Sequence, residues 1–195
     1  MGNGRTIRWK SSLILTGALL LAFPSFWMTH SLRFVEETVI FNVYPDRLDV
    51  SGDYLFENAS RLPAIQLIRY PFPVDDTHPC PDAIRAAWED AADRRLIAPV
   101  VANSAFLYVL MPPHSKRTLH IDYTQHCGGN MAEYILTTTR TWGEPLRKAR
   151  FQLLPHDIGS IMCNYPELTN VGSSGMVEYH SFFPGVNLCL SWEAI

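Results

Sequence analysis

Catalytic signatures are missing from this 195-residue chain. It has no GxSxG elbow, no HExxH, no glycine-rich phosphate loop, and no CxxC or CxxCH. Serine-hydrolase, zinc-protease, nucleotide-phosphate, zinc-ribbon, thioredoxin-like and covalent c-type haem sites therefore have no motif to rest on. Basic charge is scarce too: 16 Lys and Arg stand against 19 Asp and Glu, a net −3. The electrostatic footprint of a nucleic-acid binder is absent. Internal repeats and low-complexity tracts are lacking, and 14 Pro and 11 Gly fall without a period, which excludes collagen, coiled coil and helical repeats. What is present is a 47% hydrophobic chain rich in turn formers, the make-up of one packed, β-rich domain.

Formal charge is also absent from Ser11 to Leu32. As a helix rising about 1.5 Å per residue, that stretch reaches about 33 Å, enough to cross a bilayer core. Pro24 kinks such a helix. Trp9 and Trp27 bracket it as interfacial residues do, and Gly17 with Ala18 offers a close-packing surface to neighbouring helices. Arg5, Arg8 and Lys10 precede it, so the positive-inside tendency keeps the N-terminus in the cytoplasm. The expected organisation is a cytoplasmic N-terminus (1–10), a transmembrane helix (11–32) and a periplasmic domain (33–195). A cleaved signal peptide would begin the same way. No small-x-small cleavage site follows Leu21, and the chain instead reads Phe23, Pro24, Ser25, Phe26, Trp27, Met28. Three of the basic residues precede the span, leaving 13 Lys and Arg against 19 Asp and Glu beyond it, a net −6 for the exported part.

Beyond a short link at Arg33 to Glu37, period-two alternation predicts half-buried strands. Leu48, Val50, Tyr54 and Phe56 share one parity across Gly52, and Leu119, Ile121 and Tyr123 do so between Arg117 and Gln125. Thr38 to Tyr44, Ala64 to Tyr70 and Ala105 to Met111 are apolar or β-branched on both parities and read as strands with both faces buried. Prolines at 45, 63, 71, 73, 112 and 113 punctuate them as in an all-β sandwich. Met131 to Thr139 and Ala149 to Leu154 read as a strand pair joined by Thr141 to Pro145, and Val186 to Trp192 as the last strand. Pro155 to Gly185 has no clear period. Pro81 to Leu96 is Ala-rich and fits either a helix capped by Asp82 or strands in which Ile84, Ala86 and Trp88 alternate.

Cys80, Cys127, Cys163 and Cys189 all lie beyond the span, where an oxidising compartment would permit disulfides. Cys163 with Cys189 is the favoured bridge, because the two flank the loop-rich stretch, and Cys80 with Cys127 would follow by elimination. His120, His126, Cys127 and Met131 carry atoms that copper prefers. A cupredoxin-type loop places a His between its Cys and Met, and Gly128, Gly129 and Asn130 stand there instead. No catalytic residue, cofactor or resident metal is therefore expected. Asp75 with Asp76 reads as a solvated turn, and Asn58-Ala59-Ser60 matches a glycosylation sequon. Trp142, in a turn beside Gly143 and Pro145, is the expected exposed anchor for a partner.

The runs Tyr123-Thr124-Gln125, Tyr134 to Thr139, Trp142-Gly143-Glu144-Pro145-Leu146 and Val50 to Asn58 ahead of Tyr70-Pro71-Phe72-Pro73 resemble a pattern of uncharacterised bacterial membrane-anchored envelope proteins. The resemblance implies an immunoglobulin-like β-sandwich without catalytic activity, in which Ala86 to Val100 forms a β-hairpin. Single-span proteins with such a module resemble accessory subunits of photosynthetic or respiratory membrane complexes. The expected function is thus a non-catalytic subunit that assembles or stabilises an inner-membrane complex, most specifically of the reaction-centre and light-harvesting type. Its partners would be integral membrane subunits and the lipid bilayer, with no nucleic acid. The alternative is a periplasmic metal- or thiol-handling protein.

Overall fold

The computed structural model describes residues 32–91, 95–168 and 175–194. Twelve strands are present: β1 (Leu32–Val43), β2 (Arg47–Asn58), β3 (Ala64–Pro71), β4 (Ile84–Trp88), β5 (Val100–Val101), β6 (Ser104–Met111), β7 (Ser115–His126), β8 (Met131–Tyr134), β9 (Leu146–Pro155), β10 (Ile158–Cys163), β11 (Gly175–Phe182) and β12 (Leu188–Ala194). Three one- or two-turn 3₁₀ segments, the longest at Thr137–Trp142, complete the secondary structure of the described residues.

A six-stranded sheet, ordered β11-β9-β1-β2-β7-β4, forms one layer, and two three-stranded sheets, β3-β6-β5 and β10-β12-β8, cover its apolar face. All pairs are antiparallel except β1 with β9. Rings interlock across the layers: Phe41 of β1 meets Tyr134 of β8 at 5.1 Å between centroids, and Tyr123 of β7 meets Phe72, just after β3, at 5.0 Å. The alternation read from sequence decides which side faces inward. Leu48, Val50, Tyr54 and Phe56 of β2 and Leu119, Ile121 and Tyr123 of β7 are all buried, and each buried large apolar side chain contributes roughly 1.5–3 kcal/mol.

Several expectations are corrected. Residues 33–37 are not a link but the beginning of β1, and Leu32, expected at the end of the span, is that strand's buried first residue. The rest of the expected span, with Trp9, Gly17, Ala18 and Trp27, lies outside the described residues. Among the described residues no helix is long and apolar enough to cross a membrane. Met131 to Thr139 does not pair with 149–154: β8 pairs with β12, while β9 lies between β1 and β11. The cause is local, since 137–142 coils into a 3₁₀ segment closed by Gly143 at φ 81°, which carries the chain to the other layer instead of turning it back. Within 81–96 the alternating pattern wins over the helical one: Ala86 and Trp88 are buried in β4, and the return is a single bridge, Ala87 to Arg95. The stretch 155–185 contributes β10 and β11.

Candidate functional site

Two features stand out: an uncovered apolar face on the smaller sheet and a buried carboxyl in the core. The face arises from β3 and β6, which are apolar on both parities. Their inward parity (Ile68, Leu107, Val109, Met111) is buried, whereas the outward one remains in solvent. Ile65 is 68% exposed, Tyr108 72%, Leu110 55% and Leu67 44%. The register places Ile65 opposite Leu110 and Leu67 opposite Tyr108, so the four side chains form one patch. The expectation that both faces of these strands are covered is therefore corrected for the chain by itself. Strand β3 is also a sheet edge, and Leu32, where the described chain begins, lines the same surface groove as Leu67.

The carboxyl belongs to Glu37, on the inward parity of β1 with Val35, Val39, Phe41 and Val43. It is 2% exposed and its Oε1 has no hydrogen-bond partner. Burial pushes its pKa from 4.5 up to about 8, because the charged form loses its hydration. Glu37 stands directly opposite Tyr54 of β2. The Tyr54 hydroxyl lies 2.8 Å from those of Tyr70 and Tyr134, which are 3.4 Å apart. Burial raises the pKa of each of these tyrosines, so all three stay neutral. Gly52 makes this packing possible: a Cβ there would sit 2.2 Å from the Tyr54 hydroxyl oxygen. Glu37, Tyr54, Tyr70 and Tyr134 border a cavity of about 60 Å³ between the layers, which Phe34, Phe56 and Trp142 also wall. The sequence carried the signal for Glu37, a carboxylate on an apolar parity, but the assignment of 33–37 to a link concealed it.

The residues singled out from sequence are dispersed. Trp142 is half-buried rather than an exposed anchor, its ring 5.4 Å from Phe56 and 6.0 Å from Phe34. His120 faces outward from β7 with Nδ1 2.7 Å from Asp53 and Nε2 2.9 Å from Asp122. Partial burial lowers its pKa, but the two carboxylates outweigh that and hold it above its ordinary value. Cys127 is buried, and burial pushes its thiol up to about 11, while Met131 is exposed, with its carbonyl 2.9 Å from His78 Nε2. Among the described residues no group of three or more His, Cys, Asp or Glu is placed to hold a metal ion.

No disulfide is seen among the described residues. Cys163 and Cys189 nevertheless fall on the paired strands β10 and β12, where Asn164 N donates to the Cys189 carbonyl. Asp75 is the turn residue expected: its Oδ1 accepts from Thr77 N and His78 N at 2.7 and 2.8 Å, which with the Thr77 hydroxyl lowers its pKa. Asn58 of the sequon is fully buried, and its Nδ2 donates to the carbonyls of Leu62 and Pro112 at 2.9 Å. That amide has no access for a glycan.

No family model matches the chain, and no curated protein matches it. Among solved structures, a Legionella pneumophila protein described provisionally as nutrient-binding aligns over 83% of this chain and 67% of its own, with a TM-score of 0.63 and 14% identity. An M1 zinc metallopeptidase from Deinococcus radiodurans aligns over 83% of this chain but 42% of its own, with a TM-score of 0.47 and 12% identity. The likeness to the Legionella protein, at 14% identity, extends to the fold alone.

Proposed function

We propose that this chain is a non-catalytic, membrane-anchored subunit with an immunoglobulin-like sandwich that docks onto an integral membrane protein through the outward face of β3 and β6. The observation that carries this reading is the second apolar parity of those strands, Ile65, Leu67, Tyr108 and Leu110, left in solvent by the folded chain. Contiguous apolar patches of this kind mark interaction sites. A protein partner suits it better than anionic lipid, because the part of the chain beyond the expected span carries a net −6 and would be repelled by such a surface. The position of Leu32 beside the patch brings the face near the root of the expected anchor. An adjacent subunit of the same membrane complex, photosynthetic or respiratory as the resemblance implies, is the partner that fits this reading.

The test is mild detergent extraction of the native protein followed by size separation, repeated with Ile65→Glu and Tyr108→Glu introduced together. The native chain is expected to migrate with a membrane protein partner, and the variant, with an unchanged circular dichroism spectrum, alone. Migration of the native protein as a lone 22.1 kDa chain would sink the proposal. Equal binding of the native and variant proteins to the partner would do the same.

A further inference from the structure

Glu37 presents a buried carboxyl oxygen without a hydrogen-bond partner at a cavity of about 60 Å³. Such a cavity is large enough for a small guest rather than a single water. The hydroxyls of Tyr54, Tyr70 and Tyr134 do not satisfy it. They bond one another instead, at 2.8, 2.8 and 3.4 Å. The remaining walls mix aromatic rings with the aliphatic side chains of Ile68, Leu119, Ile121 and Ile135, and Arg69, Pro71, Thr138 and Thr139 complete the lining. Phe34, Phe56 and Trp142 form a triangle with centroids 5.3, 5.4 and 6.0 Å apart.

A lone carboxyl in a chamber walled in part by Phe34, Phe56 and Trp142 matches one ligand chemistry better than others. An ammonium group pairs its charge with the carboxylate and lays its N–H or methyl groups against the ring quadrupoles. An apolar guest would leave the carboxyl unanswered, and an anion would be repelled once the carboxyl is ionised. Arg69 also lines the cavity, but its Nε donates to Ser104 Oγ at 2.9 Å, and Arg33 is paired with Glu144, so among the described residues neither arginine answers the carboxyl oxygen. An entrance is at hand as well, because Ile68, Arg69, Thr138 and Trp142 line both the cavity and the surface groove outside it.

We infer that this cavity binds a small primary or methylated ammonium headgroup, with Glu37 as its counter-ion, Phe34, Phe56 and Trp142 as its walls, and the rest of the ligand lying in the outer groove. Glu37 is protonated near neutral pH, so the bound cation displaces that proton. Affinity then rises about tenfold per pH unit up to about pH 8 and levels off above it. The groups facing Glu37 do not titrate in that window, since Tyr54, Tyr70, Tyr123 and Tyr134 are all raised above their ordinary value.

The experiment is saturation-transfer NMR on the full chain in detergent micelles, reading the methyl protons of methylammonium and tetramethylammonium, with tert-butanol as the neutral control. Transfer to at least one ammonium ion is expected, stronger at pH 8 than at pH 6, with none to tert-butanol. Glu37→Gln keeps the side-chain shape and removes the charge, and it should weaken binding at least tenfold with its circular dichroism spectrum unchanged. Trp142→Leu should weaken it without altering the pH dependence. Equal transfer to tert-butanol, undiminished binding by Glu37→Gln, or no transfer to either cation at pH 8 would overturn the assignment.

Discussion

At the scale of single residues, the polar groups in the core decide the most. Glu37 has a folded-state pKa of about 8 against an ordinary 4.5, so the folded protein keeps a proton that the unfolded chain gives up. The stability tied to this neutral carboxyl is complete below pH 4.5 and is lost as pH rises through 8. Denaturant unfolding of Glu37→Gln and wild type should therefore coincide at pH 4, and the variant should be the more stable at pH 8, by roughly 1–4 kcal/mol. A variant less stable than wild type at pH 8 would contradict the buried, unpaired state of the carboxyl. Gly52 is constrained for a steric reason. Gly52→Ala drives a methyl into the Tyr54 ring, which the packed core cannot move aside, and should cost about 1–3 kcal/mol in the same assay. Asn58, itself fully buried, spends its amide protons on the carbonyls of Leu62, Met111 and Pro112, and Asn58→Ala should cost roughly 1–3 kcal/mol by leaving the buried Met111 acceptor unpaired.

At the scale of elements, β6 shows how two parities of one strand differ in what they do. Leu107 is fully buried and Tyr108, the next residue, is 72% exposed. Leu107→Ala should destabilise the fold by about 2–5 kcal/mol, whereas Tyr108→Ser should shift it by less than about 0.5 kcal/mol. Thermal melts of the two variants check the contrast, and comparable losses would place Tyr108 in the core. The alternation of β2 and β7 was legible because one half-buried strand carries its own pattern. The pairing partners of β8 and β9 were not, since adjacency in sequence suggested a hairpin, and only the 3₁₀ segment Thr137–Trp142 sends the chain to the other layer. Glu37 escaped for a related reason. One carboxylate within Val35 to Val43 carries meaning only when that run is known to be a strand from its first residue.

At the scale of the whole molecule, the proposed anchor and the sandwich impose opposite demands. The proposed anchor is uncharged from Ser11 on and suits lipid, while the domain beyond it, at a net −6, is repelled by anionic surfaces. Membranes washed with alkaline carbonate should retain the full chain in the pellet, and its release into the supernatant would remove the tether from the proposal. The residues with copper-preferring atoms, His120, His126, Cys127 and Met131, lie close in sequence but are not gathered into one cluster: His120 and His126 share the outward parity of β7, and Met131 is exposed at the start of β8. His120 points outward between Asp53 and Asp122, and Cys127 is buried.

Composition and short-range periodicity by themselves determined that this is a β-rich chain and which parity of β2 and β7 is buried, because both follow from the two-residue repeat of a strand. They also placed the turn at Asp75, whose side chain caps its own loop. Tertiary structure alone decided that the second apolar parity of β3 and β6 stays uncovered, and that Glu37 meets three tyrosines from three sheets. Such meetings depend on which strands lie across from one another, and distant pairing leaves no trace in local sequence.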